Sequence, residues 1–205
     1  MSIPSNPPAP NPRGDAKRQA IIAAAERAFL GHGYAAASMD AIAADAGASK
    51  RTVYNYFPSK RELFQAMVAR LYAGLNEAER GGLPADEAPA EVLPRFTRTL
   101  LAHLRRPEIL GLLRLIIAEL PRFPELGLVL HTEGKGPAVA LLERYLAAQH
   151  AAGRLNVPDA WLASAQFLGA VKEGVYWPAL LGLPVPDDEP VIASAVAAFL
   201  KVHGV

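Results

Sequence analysis

Residues 38–64 read SMDAIAADAGASKRTVYNYFPSKRELF, and the spacing inside this stretch decides how the rest of the chain is understood. Ser38 can cap a helix from Met39 to Ala46, Gly47 supplies a turn, and Ser49 can cap a second helix from Lys50 to Phe57. Two short helices about a glycine turn have the spacing of a helix-turn-helix. Ile42, Ala43, Ala46, Val53 and Phe57 can pack inward, and the two alanines permit a close crossing. The second helix then offers Lys50 and Arg51 in its first turn, with Tyr54 and Asn55 one turn on. Long cations, a phenol and an amide suit base edges, thymine methyls and phosphates. Pro58 breaks the chain, and Ser59-Lys60-Arg61-Glu62 has the form of a capping box that opens a long helix to about Arg80.

Working outward, residues 15–31 place Ile21, Ile22, Ala25 and Phe29 on one helical face, and Gly31-His32-Gly33 is expected to end that helix. The opening MSIPSNPPAPNP carries five prolines in twelve residues, which suits an extended, solvated arm over 1–13 rather than a signal peptide. Downstream, Gly81-Gly82-Leu83-Pro84 and Pro89 mark a loop, and Leu93, Phe96, Leu100 and Leu104 form an apolar stripe. Pro107 suits a first helical position, and Pro121 ends the helix that carries Leu110, Leu113 and Ile117. Further amphipathic stretches run over about 123–131, 137–152, 158–181 and 188–203. Strand-like alternation is scarce and no repeat of fixed period appears. The expected fold is all-α, a three-helix helix-turn-helix domain over 14–61 followed by a larger helical domain over 62–205.

The 205 residues hold 21 Lys and Arg against 20 Asp and Glu, a net charge of +1 that argues against a sequence-indifferent DNA compactor. The balance is uneven: residues 1–61 carry eight basic and four acidic side chains, so any nucleic-acid affinity is local to that end. The absence of cysteine removes disulfide frameworks, zinc knuckles, iron-sulfur clusters and thiol nucleophiles. His32, His103, His131, His150 and His203 show no paired metal spacing, so neither a metal nor a cofactor is expected. The longest uncharged interior stretch, 174–186, has thirteen residues and three prolines, whereas a membrane span needs about 20 apolar residues. A cytoplasmic protein is expected. No P-loop, kinase, glycosidase or zincin spacing is present, which disfavours an enzyme. An all-α enzyme or a carrier of small hydrophobic molecules is the alternative reading.

The stretch from about Gln19 to Phe64, with Phe29, Gly33-Tyr34, Ile42-Ala43, Gly47, Tyr54, Tyr56-Phe57 and Ser59-Lys60, resembles the helix-turn-helix signature of the tetracycline-repressor (TetR) family of bacterial regulators. LLRLIIAELPRFPEL over 112–126 and QFLGAVKE over 166–173 are similar to the carboxy-terminal domain of its AefR-like subgroup. The resemblance implies a homodimeric repressor that binds a near-palindromic stretch of double-stranded DNA and is released by a small apolar or aromatic effector. Carried over residue by residue, it makes Lys50, Arg51, Tyr54 and Asn55 base readers, and Ser38, Thr52, Tyr56 and Lys60 phosphate contacts. Plainer roles stand beside these: a solvated face for Lys50 and Arg51, an ordinary exposed position for Asn55, partial core for Tyr56, and a helix cap for Ser38 with or without a phosphate. Lys60 sits near a helix amino terminus, where a cation is unfavourable unless an anion joins it. Arg13, Lys17 and Arg18 can follow the arm into a minor groove or form a solvated first turn. Phe96, Leu100, Leu113, Ile117, Phe123, Phe167 and Trp177 can line an effector pocket or simply be core. The last two long helices are expected to form the dimer interface through Leu168, Val171, Val175, Ile192, Val196 and Phe199.

Overall fold

The computed structural model describes residues 12–79 and 82–205, and among them the regular structure is helical apart from a lone bridge between Leu155 and Gly204. The chain divides into two compact units, with the boundary between Met67 and Val68. The first unit is built from α1 (Pro12–Ala36), α2 (Met39–Asp45), α3 (Lys50–Tyr56) and the opening turns of α4 (Lys60–Glu79). The arm read over 1–13 lies outside the described residues as far as residue 11. Pro12 and Arg13 are already helical, a start that suits proline because its missing N–H is an orphan there anyway. The regular geometry breaks at Gly33 (φ 86°, ψ 164°), within the Gly31-His32-Gly33 stretch expected to end this helix, and one further turn beyond it reaches Ala36.

The two short helices fall where their caps place them. The Ser38 hydroxyl accepts the Ala41 N–H at 3.1 Å, the Ser49 hydroxyl accepts that of Thr52 at 3.1 Å, and Gly47 adopts φ +56° in the turn between them. Ser59 caps α4 by accepting the Glu62 N–H at 3.1 Å, while its own hydroxyl donates to the Glu62 carboxylate. Ile21, Ile22, Phe29, Ile42, Val53, Leu63, Phe64 and Met67 are buried together in this unit. The Phe64 ring meets Phe29 at 5.3 Å and Tyr34 at 5.2 Å, both edge-on. These contacts carry the domain to Met67 rather than to the expected residue 61.

The second unit holds the remainder of α4, then α5 (Pro89–Leu104), α6 (Pro107–Glu119), α7 (Glu125–Val129), a π-helical segment (Leu130–Lys135), α8 (Gly136–Ala151), α9 (Ala160–Glu173), α10 (Tyr176–Leu181) and α11 (Asp188–His203). The single helix expected over 158–181 is divided at Gly174, and Pro178 explains the division. In an unbroken helix it would deny a donor to the Gly174 carbonyl, whereas a new start at Tyr176 puts it in a first turn. Conversely, the stretches read separately over 123–131 and 137–152 join through the widened π turn. A Cβ at Gly136 would fall on the His131 carbonyl, so glycine is needed there. Arg98 grips Glu189 with two bonds of 2.6 and 2.9 Å, and Arg105 reaches Asp188 at 2.6 Å, fastening α5 to α11. Arg114 of α6 donates to the carbonyls of Ala179 and Leu180 at the end of α10. Among the described residues no helix is long and apolar enough to cross a membrane, and no cluster of His, Asp and Glu could hold a metal ion.

Candidate nucleic-acid interface and inner cavity

α3 buries only Val53 of its own residues, and Phe57 just beyond it is also buried, so the remaining side chains of this short helix face outward. Arg51, Tyr54 and Asn55 are exposed, Tyr54 to 41%. Lys50 is exposed as well, but its ammonium lies 2.9 Å from the Asp40 carboxylate of α2. A hydrogen bond to Asp40, and then its charge, raise the Lys50 pKa above its ordinary value. Both partners are open to solvent, so this pair is screened.

The four residues expected at phosphates fare differently. Ser38 stands at the α2 cap, and the Thr52 hydroxyl shares a 2.8 Å bond with Ser49 at the α3 cap. Tyr56 is 36% exposed with its ring 6.4 Å from that of Phe57, which places it at the rim of the core. Lys60 already has partners inside the unit. Although it begins α4, its ammonium donates to the Ala35 carbonyl at 3.0 Å and lies 4.8 Å above the Tyr34 ring. The cation is thereby held at the carboxyl end of α1, where the helix dipole favours it. Lys17 and Arg18 are likewise taken up inside the unit: Lys17 donates to the Gly47 carbonyl at 2.7 Å, and the Arg18 guanidinium covers the Phe57 ring at 5.2 Å. Arg27 of α1 pairs with Asp45 of α2 at 2.8 Å. α1 thus holds the turn and both short helices through side chains whose partners are far away in sequence.

The second unit holds a cavity of about 280 Å³ that is partly open to solvent beside the exposed Ile117 and Trp177. Phe96, Leu100, Leu113, Ile117 and Trp177 line it. Phe123 and Phe167 do not: Phe123 lies beneath the Arg122 guanidinium at 5.5 Å, and Phe167 packs edge-on against Phe199 at 5.3 Å. Tyr176, an aromatic that the sequence also offers for such a lining, is there too, and sequence reasoning missed Tyr72, Lys135 and Lys172, which complete its polar part. Burial raises the pKa of the Tyr72 hydroxyl and pushes that of Tyr176 up to about 12, so both remain neutral donors. Burial, and secondarily the charge of Lys135, lower the pKa of Lys172.

The six expected interface residues are covered within the chain itself. Leu168 lines the cavity, and Val171, Val175, Ile192, Val196 and Phe199 are each at most 7% exposed. The i, i+4, i+7 face of α11 is therefore turned toward its own subunit. The exposed residues of α9 and α11 include several small ones, Ala165, Gly169 and Ala170 on one and Ala193, Ala197 and Ala198 on the other, beside the larger Trp161, Leu162 and Val202.

This arrangement has relatives. Residues 21–67 match the profile of bacterial regulatory proteins of the tetR family, and residues 91–205 match that of the AefR-like transcriptional repressor, C-terminal domain. The chain belongs to the TetR family. The first match ends at Met67, where the first compact unit ends. A crystal structure of a TetR-family transcriptional regulator from Mesorhizobium loti superposes with a TM-score of 0.81 at 30% identity, covering 95% of this chain and all of that one. The flavonoid-responsive regulator FrrA gives 0.80 at 32% identity, over 93% and 98% of the two chains. Among curated proteins, the transcriptional activator FasR of Mycolicibacterium smegmatis is 44% identical over 73 residues, 34% of this chain and 33% of that protein. The transcriptional repressor NicS of Pseudomonas putida is 31% identical over 106 residues, 49% and 48%. The matched region spans about a third to a half of these curated relatives. TetR-family proteins are transcriptional regulators, not enzymes.

Proposed function

We propose that this TetR-family chain is a cytoplasmic, homodimeric repressor that reads a near-palindromic DNA site with α3 and is released by a small apolar or aromatic effector held in the second unit. One observation carries the DNA reading: Lys50, Arg51, Tyr54 and Asn55 stand together on the outward side of a helix that is anchored by Val53 and Phe57. The choice of repressor rests on the description of the carboxy-terminal profile. The effector reading rests on the cavity and on its likeness to a regulator described as flavonoid-responsive. The small-residue surface of α9 and α11 supports pairing of two copies, since helices bearing Ala and Gly can approach closely. Two recognition helices must reach major grooves about 34 Å apart, which makes the dimer a requirement of the proposed function.

Gel shifts against genomic fragments, at fixed salt and with excess competitor DNA, test this. A fragment should be selected over competitor, and Arg51→Ala should relax the preference at one base position of each half-site by about 1–3 kcal/mol. Selection of no fragment, or an Arg51→Ala protein with unchanged affinity and preference, refutes the assignment. A carrier of hydrophobic molecules would bind ligand and ignore every fragment.

A further inference from the structure

We propose that the cavity of the second unit takes an organic acid, a flat apolar body of about two rings whose single carboxylate lies between Lys135 and Lys172. The inference rests on the effector reading above and narrows its chemistry from an apolar guest to an anionic one. Two ammonium-bearing side chains from different elements, the π-helical segment and α9, border a lining that otherwise consists of apolar residues and two tyrosines. No Asp or Glu lines the cavity, and among the described residues neither lysine forms a hydrogen bond or an ion pair. Lys172 is partly buried, Lys135 is exposed at the rim, and the charge acting on Lys172 is the like charge of Lys135. A partly buried cation beside a second one at the edge of an apolar space is unfavourable until an anion joins them, and a carboxylate between them would offset the burial of Lys172 and the repulsion between the two.

The backbone supplies the second argument. Leu130 and Lys135 both line the cavity although they are five residues apart, a separation that puts side chains well apart around a regular α-helix. The i→i+5 bonding of the π segment brings residues at this spacing toward one side, so the widened turn is what directs Lys135 to the cavity. Pro137 helps to explain the widened turn: it has no N–H for the carbonyl four residues back, and its ring would crowd that carbonyl in a uniform helix. The size follows from volume. A cavity of roughly 150 Å³ holds one benzene ring, and this one is about 280 Å³. Tyr72 and Tyr176 add neutral hydroxyls to the same lining.

Calorimetric titration of the full chain, without DNA, with 2-naphthoate and with its uncharged isostere 2-naphthamide tests the proposal. The carboxylate should bind at least about tenfold more tightly than the amide at pH 7. Lys172→Met should abolish that preference while keeping or improving the amide's affinity, which shows that the cavity is intact, and Lys135→Met should reduce it. Equal binding, preference for the amide, no binding of either compound, or a preference unchanged in both variants overturns the proposal. DNA plays no part in the titration. An anion preference that vanishes while gel shifts still select a fragment refutes only this inference, and an anion site whose occupation leaves DNA affinity unchanged refutes the effector reading instead.

Discussion

Replacing Lys60 by Met separates two roles that the sequence alone could not. The substitution keeps most of the aliphatic stem and removes the ammonium that bonds to the Ala35 carbonyl at 3.0 Å and lies 4.8 Å above the Tyr34 ring. A hydrogen bond from a charged donor contributes about 1.5–3 kcal/mol and a cation over an aromatic face about 0.5–2 kcal/mol. The two share one ammonium and do not add, so the first unit should lose about 2 kcal/mol. Both tryptophans, Trp161 and Trp177, belong to the second unit, so their fluorescence would miss the change. Amide hydrogen exchange over residues 21–67 would see it, as about thirtyfold faster exchange of the most protected amides. DNA binding gives the opposite control. A lysine on a phosphate adds about 0.9 to the slope of log affinity against log salt, and Lys60→Met should leave that slope unchanged. Unaltered exchange together with a slope lower by about one would refute the structural role and restore the phosphate contact.

Two further outcomes follow from buried groups and open faces. His103 is buried, its Nε2 has no hydrogen-bond partner among the described residues, and its ring lies 4.8 Å from that of Tyr72. Burial, and then the charge of Arg106, lower its pKa to about 4. The unfolded chain takes up this proton near pH 6.5 and the folded chain only near 4, so stability held above pH 6.5 is lost as pH falls toward 4, by up to about 3 kcal/mol. Urea unfolding followed by tryptophan fluorescence at pH 7 and pH 4.5 should show this loss reduced in His103→Phe, and an identical loss in both proteins would refute it. For the dimer, a Cβ at Gly169 meets nothing within 4 Å, so Gly169→Arg should leave the subunit folded while blocking close approach of a second copy. Sedimentation should find a monomer; a dimer as tight as wild type would exclude this face.

The helix-turn-helix was legible because its boundaries are written in local chemistry: Ser38, Ser49 and Gly47 act within three residues of their own positions. The destinations of Lys17, Arg18 and Lys60 were not. Their long side chains find partners 25 to 39 residues away, and periodicity carries no record of such contacts. The apolar stripe of Ile192, Val196 and Phe199 suggests a dimer interface from the sequence, yet its own subunit covers it, because a stripe does not say which partner buries it. The cavity lysines escaped because the pocket was sought among apolar and aromatic residues alone. One signal was available: Lys172 and its neighbour Glu173 are the only charged residues between Asp159 and Asp187, in an otherwise apolar stretch.

The π turn between α7 and α8 also resets a phase. At about 100° per residue in a uniform helix, the buried positions Leu126 and Val129 would point some 160° away from the mean direction of Ala138, Leu141, Leu142, Tyr145 and Leu146. One face would then leave the core. A turn that absorbs one additional residue takes back about 100° of that rotation, and both sets of side chains come to face the same interior. This one segment therefore reconciles two amphipathic patterns that are out of register with each other, and in doing so it leaves Lys135 at the point where the winding changes.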